Sequence, residues 1–194
     1  MGSGTRTARG IGKISLKISN VLHLSSASTT HMAAAESFLA ELAHVVGFDR
    51  DIVTAVVPAS VRVDSEKGTF ACDIDVTKNL ANRYGTLHGG AVATIVDVFG
   101  TAALATVSDT LGVSLDLNTT FLKGTPLGSV VHVHAKVLTK TRSVAVIEVN
   151  LEATINNRRV RVAQGRHTKF LNAKVERQLV ESKKRGGEGP SSKL

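Results

Sequence analysis

Six stretches of the chain alternate apolar and polar residues, which is the pattern of a β-strand that buries one face. The third stretch shows it clearly, since Val113, Leu115 and Leu117 alternate with polar neighbours. Short polar connections join most of the stretches, so we expect antiparallel strands in a sheet with one solvated face. The predicted strands are Val56–Val63, Thr69–Val76, Gly112–Lys123, Ser129–Thr139, Ser143–Ile155 and Arg159–Leu171.

Two further stretches show a helical pattern. Residues 91–107 are apolar on nearly every side, and a helix of that kind is expected in the interior. Ala33–Val46 has a single apolar face and should lie on another element. That face consists of Phe38, Leu39, Leu42, Val45 and Val46. The combination predicts an α+β fold in which a curved antiparallel sheet wraps around a long central helix.

The distribution of charge along the chain argues against a nucleic-acid-binding protein. The chain carries 24 Lys and Arg against 16 Asp and Glu, a net charge of +8. Residues 1–32 contribute +4, residues 172–194 contribute +3, and residues 33–171 contribute only +1. Because the central region is nearly neutral and contains no Trp, we expect no nucleic-acid partner. The longest apolar stretch contains Asp97 and is too short for a membrane span.

The two ends differ in composition from the predicted domain, which covers residues 33–171. Residues 1–32 are basic and lack acids, as in a disordered or targeting segment or a segment of untranslated origin. Residues 172–194 are expected to form a flexible basic tail. It ends in Ser192-Lys193-Leu194, a peroxisomal address read by an import receptor. The alternatives are another organelle, addressed through the N-terminal segment, or the cytosol.

A glycine-rich segment precedes the apolar helix and carries the first candidate chemistry. It runs from Asn82 to Gly90 and ends in His88, Gly89 and Gly90. Main-chain N–H groups at a helix N-terminus favour developing negative charge, so this turn can form an oxyanion hole. The alternative is a turn in which glycine serves backbone geometry alone.

Asp97 is the one charged residue of the apolar helix, and an unpaired buried carboxylate is costly. It is predicted to act as a general base or nucleophile in an apolar pocket, unless a hydroxyl of Thr94 or Thr101 satisfies it. Gly89 lies eight residues away, about 12 Å along a helix. Either the two features are unrelated, or two antiparallel copies of the helix form two composite sites in a dimer.

Two other chemically interesting features have simpler interpretations. His132 and His134 share a strand face, but no third ligand accompanies them, so solvated or cross-strand paired histidines are expected instead of a metal site. Cys72 is expected to pack as a small hydrophobe. A single cysteine excludes a disulfide framework and fits a reducing compartment.

Three ordered blocks carry a resemblance to a known family: NRYGTLHGGAVATIVD, GVSLDLNTTFLKGTP and AQGRHTKFL. They resemble the PaaI-like branch of the hotdog-fold acyl-CoA thioesterases, especially its small eukaryotic members, over about residues 33–171. The resemblance implies a hotdog fold, a homodimer assembled further into a dimer of dimers, and hydrolysis of acyl-CoA to a free acid and CoA. It implies no cofactor beyond the coenzyme A of the substrate.

The resemblance also assigns roles by position. Gly89 looks like the N–H donor to the thioester oxygen, and Asp97 like the base or nucleophile supplied across the dimer interface. Asn82 and His88 would place and polarise the thioester. Ser114 would hold the attacking water, although simple alternation puts it on a solvent face with Asp116 and Asn118. The implied contacts to CoA are Lys123, Gly124, Lys140, Thr141, Arg142 and Ser143.

Two other functions fit the same residues. A hotdog enoyl-CoA hydratase would use Asp97 together with His88 as an acid/base pair, and a non-catalytic protein would only bind acyl-CoA. The sequence leaves the acyl group open between fatty and aromatic chains.

Overall fold

The computed structural model describes residues 33, 35, 37–41 and 48–186 of the chain. The described residues of 33–41 are helical, as predicted, and Leu39 is buried there. Leu42, Val45 and Val46 lie outside the described residues, as do residues 1–32 and the Ser192-Lys193-Leu194 tripeptide.

Six antiparallel strands form one sheet in the order β1-β2-β4-β5-β6-β3. The β5–β6 connection is a tight turn in which Asn156 and Asn157 both adopt positive φ, as favoured two-residue hairpin turns require. The strands are β1 (Arg62–Asp64), β2 (Thr69–Asp75), β3 (Val113–Phe121), β4 (Val130–Lys140), β5 (Val144–Ile155) and β6 (Arg158–Phe170).

The helices comprise α1 (Asp49–Thr54), α2 (Gly89–Ala105) and α3 (Ala173–Gly186), with short 3₁₀ turns at Pro58–Ser60 and Lys78–Leu80. The central helix α2 packs across the sheet and buries most of its length, including a stacked contact between Phe99 and Phe70 of β2. A side chain at Gly165 of β6 would approach Val96 to 2.5 Å, so glycine permits the close approach of helix and strand there. The α+β prediction of a sheet packed on a long central helix is confirmed.

The predicted strand Val56–Val63 is largely wrong. Pro58 lacks a backbone N–H for a strand ladder and begins a 3₁₀ turn instead. The Ser60 hydroxyl stabilises that turn, since it donates to the carbonyl of Val57 at 2.6 Å and accepts from the N–H of Asp73 at 2.7 Å. Of the predicted strand, only the part that belongs to β1 pairs regularly with β2. Val56 forms one isolated bridge, with Ile74 of β2.

The segment after β6 also differs from the prediction of a flexible tail beginning at residue 172, because Ala173–Gly186 forms α3. Asn172 caps this helix, with its Oδ1 accepting from the N–H groups of Lys174 at 3.0 Å and Val175 at 3.3 Å. A carboxylate oxygen of Glu176 accepts from the N–H of Leu111 at 3.2 Å and holds the helix against the domain. The segment is highly charged and poor in apolar residues, so its sequence did not predict a helix. Specific hydrogen bonds anchor this helix to the domain.

Candidate active site

The turn before α2 is held by its own polar side chains. Oδ1 of Asn82 accepts from the N–H groups of Tyr84 at 2.9 Å and Thr86 at 3.2 Å, and Nδ2 donates to the hydroxyl of Thr86 at 2.9 Å. His88 is the N-cap, with Nδ1 accepting from the N–H of Gly90 at 2.8 Å. Asn82 and His88 thus fix the backbone that presents Gly89.

Gly89 occupies the first position of α2, where an α-helix offers its N–H no internal partner. It lines a cleft of about 330 Å³ together with Asn82, Phe121, Lys123 and Gly124. The structure therefore brings the predicted oxyanion donor together with the first pair of predicted CoA contacts. The positive end of the α2 dipole faces this cleft and suits a developing oxyanion.

Asp97 lies two turns further along α2 and lines a different cleft of about 400 Å³, with Asp49, Ser114 and Lys169 among its other walls. The prediction of a buried carboxylate in an apolar pocket needs correction. In one chain 48% of the Asp97 side chain is exposed, and the cleft combines apolar walls from Phe38, Leu111 and Val113 with the polar side chains of Asp49, Ser114 and Lys169. Within a single chain, Gly89 and Asp97 therefore do not meet, as the 12 Å spacing requires.

Two side chains approach the Asp97 carboxylate. Nε2 of His167 lies 3.3 Å from Oδ1 of Asp97, and the hydroxyl of Ser114 lies 3.5 Å from the same oxygen. The Thr94 and Thr101 hydroxyls donate to main-chain carbonyls, those of Gly90 and Asp97, so they do not serve the carboxylate. The interpretation of Asp97 as a structural residue satisfied by a threonine is not supported.

A β-bulge brings Ser114 into this site. The register of β3 against β6 shifts between Ser114 and Asp116, and a bulge turns the side chains on one of its sides to the opposite face. Ser114 therefore contacts Asp97 and His167, although strict alternation would have placed it with Asp116 on the solvent face.

Ser114, His167 and Asp97 do not form a serine-nucleophile triad. In such a triad the serine and the carboxylate bond opposite nitrogens of the imidazole. Here both approach Nε2, the serine at 2.9 Å, while Nδ1 is buried without a hydrogen-bond partner. The tautomer that leaves no buried N–H unpaired carries its proton on Nε2 and donates it to Ser114, whose own proton is then directed at Asp97. Ser114 is a support for the carboxylate in this arrangement.

Burial sets the charge state of His167. The His167 side chain is fully buried against Gly100. Burial, and to a smaller extent the nearby charge of Lys169, lowers its pKa to about 4, whereas the Asp97 carboxylate acts to raise it. Lys169 is buried and donates to the Thr101 hydroxyl at 3.0 Å. Burial lowers the pKa of the Lys169 ammonium, and the carboxylates of Asp97 and Glu176 partly oppose that shift.

The depressed pKa of His167 predicts acid-sensitive stability. The unfolded imidazole takes up a proton near pH 6.5, and the folded one only near pH 4, so the unfolded state holds more protons between these values. Stability should therefore fall as the pH falls through this window, by about 3 kcal/mol in total from this group. Urea unfolding at pH 7 and pH 4.5, at one protein concentration, measures the change. His167→Gln removes the titrating group, and an equal pH slope in both proteins would contradict the assignment.

Sequence reasoning missed three residues at this site: Asp49 and Lys169, which line the Asp97 cleft, and His167, which is buried behind it and contacts Asp97. Alternation along β6 held a signal for two of them, since Ala163, Gly165, His167 and Lys169 share the face that turns inward. Polar residues on an inward face indicate a site. Asp49 gave no such signal, because the sequence of α1 does not show which element the helix packs against. Burial, and to a smaller extent the Asp97 carboxylate, raises the pKa of Asp49.

The remaining predicted CoA contacts lie in a third cleft of about 630 Å³. Lys140, Thr141, Arg142 and Ser143, from the β4–β5 connection, form one wall, and the end of β6 with the start of α3 forms another. The cleft adjoins the Asp97 cleft, because Thr110 lines one and Leu111 the other, and Gly112 of the Asp97 cleft packs against the main chain of Phe170. Apart from His88, which caps α2, the predicted site residues thus line three clefts of one chain.

Among the described residues, neither a cluster of metal ligands nor a membrane-spanning helix is present. No group of three or more His, Cys, Asp or Glu side chains converges as metal ligands would. His132 instead pairs across strands with Asp73, at 2.8 Å between Nδ1 and Oδ1, as predicted for one of the two histidines. Within the same residues, no helix has the length and apolar character needed to cross a membrane.

Known proteins resemble this chain in sequence and in fold. The sequence profile of the thioesterase superfamily matches residues 84–157. Acyl-coenzyme A thioesterase 13 of Mus musculus is 34% identical over 128 residues, which cover 66% of this chain and 86% of the mouse protein. Zebra fish thioesterase superfamily member 2 is 33% identical with a TM-score of 0.63, covering 74% of this chain and 99% of that structure. The E. coli PaaI protein, 15% identical, shares the fold with a TM-score of 0.61 over 76% and 97% of the two chains.

The fold and its relatives define a thioester hydrolase built on the hotdog architecture, a sheet wrapped around a central helix. The chain belongs to the thioesterase superfamily. The predicted fold, the predicted enzyme class and the stated resemblance are confirmed.

Proposed function

We propose that this protein hydrolyses acyl-CoA at composite sites formed by two copies of the chain, with Asp97 from one copy facing Gly89 of the other. The observation that carries the proposal is the separation of these two residues into different clefts of one chain, at opposite ends of one exposed stripe of α2. Relatives named acyl-coenzyme A thioesterase support the choice of substrate class.

The exposed stripe of α2 supports antiparallel pairing of two copies. Most of the helix is buried, but Gly90, Ala93, Thr94 and Asp97 remain partly or fully exposed. These positions recur every three or four residues and so share one helical face. Ala93 lies midway between residues 89 and 97, and two helices that cross there with opposite direction bring each Asp97 opposite the partner's glycine turn. Small residues at the crossing permit close approach.

The edge strand β3 supports the same assembly. It bonds to β6 on one side, and its exposed large apolar side chains include Leu115, 61% exposed, and Phe121, 60% exposed. An exposed apolar edge strand is a ready template for pairing with another chain. Pairing of β3 with a second β3 would continue the sheet across the dimer and cover these side chains.

Hydrolysis at the composite site then follows from the two clefts. The thioester carbonyl oxygen accepts from the N–H of Gly89, which stabilises the negative charge of the tetrahedral intermediate. Asp97 takes a proton from a water molecule held with the help of Ser114, and the resulting hydroxide attacks the carbonyl carbon. The C–S bond breaks as the oxyanion collapses, and the proton returns to the CoA thiolate. His167 and Lys169 orient this cleft without entering the reaction.

The predicted cations are suited to the substrate's phosphates. Lys123 is exposed beside the Gly89 cleft, and Lys140 and Arg142 are exposed beside the Asp97 cleft, where charge-assisted bonds to phosphate oxygens can form. The hydratase alternative would have to use Nε2 of His88, because Nδ1 is already engaged with the N–H of Gly90.

A thiol-release assay over straight-chain and aromatic CoA esters tests the proposed function and ranks acyl groups. We expect stoichiometric free CoA and free acid from at least one class of ester. The same protein is incubated with trans-2-enoyl-CoA. Hydration of the double bond without thiol release, or tight acyl-CoA binding with no turnover of any ester, would contradict the proposal.

A further inference from the structure

We propose that the helix that follows the last strand adds two cations, Lys174 and Arg177, to the binding site for the phosphate groups of coenzyme A. This inference rests on the proposed function and concerns residues beyond those predicted from the sequence. It assigns to α3 a specific role in substrate recognition.

The charge of the third cleft carries the inference. Four of its lining side chains are cationic: Lys140 and Arg142 from the β4–β5 connection, and Lys174 and Arg177 from α3. None of the described residues that line it is acidic. Four like charges around one opening repel one another unless an anion lies between them, and a phosphate group with several oxygens suits such a cluster. The hydroxyl groups of Thr110 and Ser143 lie on the same walls, whereas those of Ser108 and Thr141 donate to main-chain carbonyls.

Hydrogen bonds fix α3 at the edge of this cleft. Leu171 donates its N–H to the carbonyl of Ser143 at 2.8 Å, which ties the end of β6 to the β4–β5 connection. Asn172 then caps the helix, and Glu176 bonds the N–H of Leu111 at 3.2 Å. Lys174 and Arg177 are three residues apart and so share one face of the helix. The cations of α3 therefore stand at a defined distance from those of the opposite wall.

The position of the cleft indicates which anion it takes. Gly112 lines the Asp97 cleft and lies directly against the main chain of Phe170, which lines the cationic cleft. A substrate whose thioester lies at Asp97 can therefore extend its charged end along the end of β6 into the cationic cleft. Coenzyme A has this form, with a thiol at one end and the 3′-phosphorylated adenosine diphosphate at the other. Phe170, which is half-buried, offers an apolar surface beside the cations.

Calorimetry with coenzyme A on the full-length chain tests the inference. The double variant Lys174→Ala/Arg177→Ala should bind CoA roughly 10- to 100-fold more weakly, as expected for loss of charged hydrogen bonds. Arg158→Ala removes an exposed cation at the opposite end of the β5–β6 hairpin and should leave the affinity unchanged. Lys174→Arg/Arg177→Lys preserves the charge and should retain most of the binding. Unchanged CoA affinity in the double alanine variant would overturn the inference.

Acyl-pantetheine separates this inference from the proposed function, since it keeps the thioester and lacks the nucleotide. The wild type should hydrolyse it, and the double alanine variant should do so at an unchanged rate while its KM for acyl-CoA rises. If the wild type hydrolyses neither ester but CoA binding still depends on Lys174 and Arg177, the proposed function fails and the inference stands. If inorganic phosphate binds as tightly as CoA, the cleft is a general anion site and the inference fails.

Discussion

Asp97→Asn is expected to lower the turnover of acyl-CoA by about 10²- to 10⁴-fold, the usual contribution of a positioned general base. The amide has the shape of the carboxylate and can still meet Ser114 and His167, but it cannot accept a proton from water. Half of this side chain is already exposed in one chain, and Glu176 still offsets the buried charge of Lys169 after the substitution. Steady-state thiol release, with fold and oligomeric state checked by circular dichroism and ultracentrifugation, measures the effect.

A matched control exists in the same cleft. Asp49 is a second carboxylate beside Asp97, and Asp49→Asn should change the rate far less, because Asp49 has no hydrogen bond to the Ser114–His167 pair among the described contacts. Comparable losses for both variants would show that the cleft needs its net charge and not a base at residue 97. Near-normal turnover by Asp97→Asn on several esters would remove Asp97 from the mechanism.

Gly89→Pro is expected to lower turnover by about 10²- to 10³-fold, the measured scale for loss of one oxyanion donor. Proline removes the N–H and adds three ring carbons, the first of which lies at contact distance from the Phe121 ring. It suits the first position of a helix, and the preceding residue, His88, already has the extended conformation that proline demands, with φ −67° and ψ 137°. The backbone of α2 should therefore remain in place, and the loss should fall on kcat.

Gly89→Ala is the control for this substitution, because it keeps the N–H and adds a methyl group. That Cβ would meet the Phe121 ring at 3.5 Å, an ordinary contact distance. Activity close to wild type for Ala and a large loss for Pro isolates the donor. Equal losses for the two variants would mean that space near Phe121 matters and the N–H does not.

Much of the fold could be predicted because local pattern and final environment agree. Residues 91–107 are apolar on nearly every side of the helix they form, so this helix must be buried. Long alternating stretches such as Val144–Ile155 require a half-buried strand. The failures have local causes. Pro58 interrupts an otherwise strand-like run, and α3 is a polar helix held by the cap at Asn172 and the bond from Glu176.

The site was predictable only where a residue type was itself unusual. Asp97 within an apolar helix and glycine at a helix start both stand out from the sequence alone. The contacts of Ser114 depend on a bulge, which changes which face a side chain takes without altering the residue pattern. The role of His167 depends on a neighbour 53 residues away in the chain, and pairing across a sheet is decided by tertiary structure.

Heterodimers that combine Asp97→Asn in one subunit with Gly89→Pro in the other test the central claim, that each site takes one residue from each copy. The two variants are co-expressed with different tags, purified through both tags, and assayed for thiol release. One of the two sites then regains an intact Asp97 and an intact Gly89, so activity should recover to about half of the wild-type value. If both residues served the same chain, neither subunit would be complete, and activity no higher than that of the inactive parents would contradict the account.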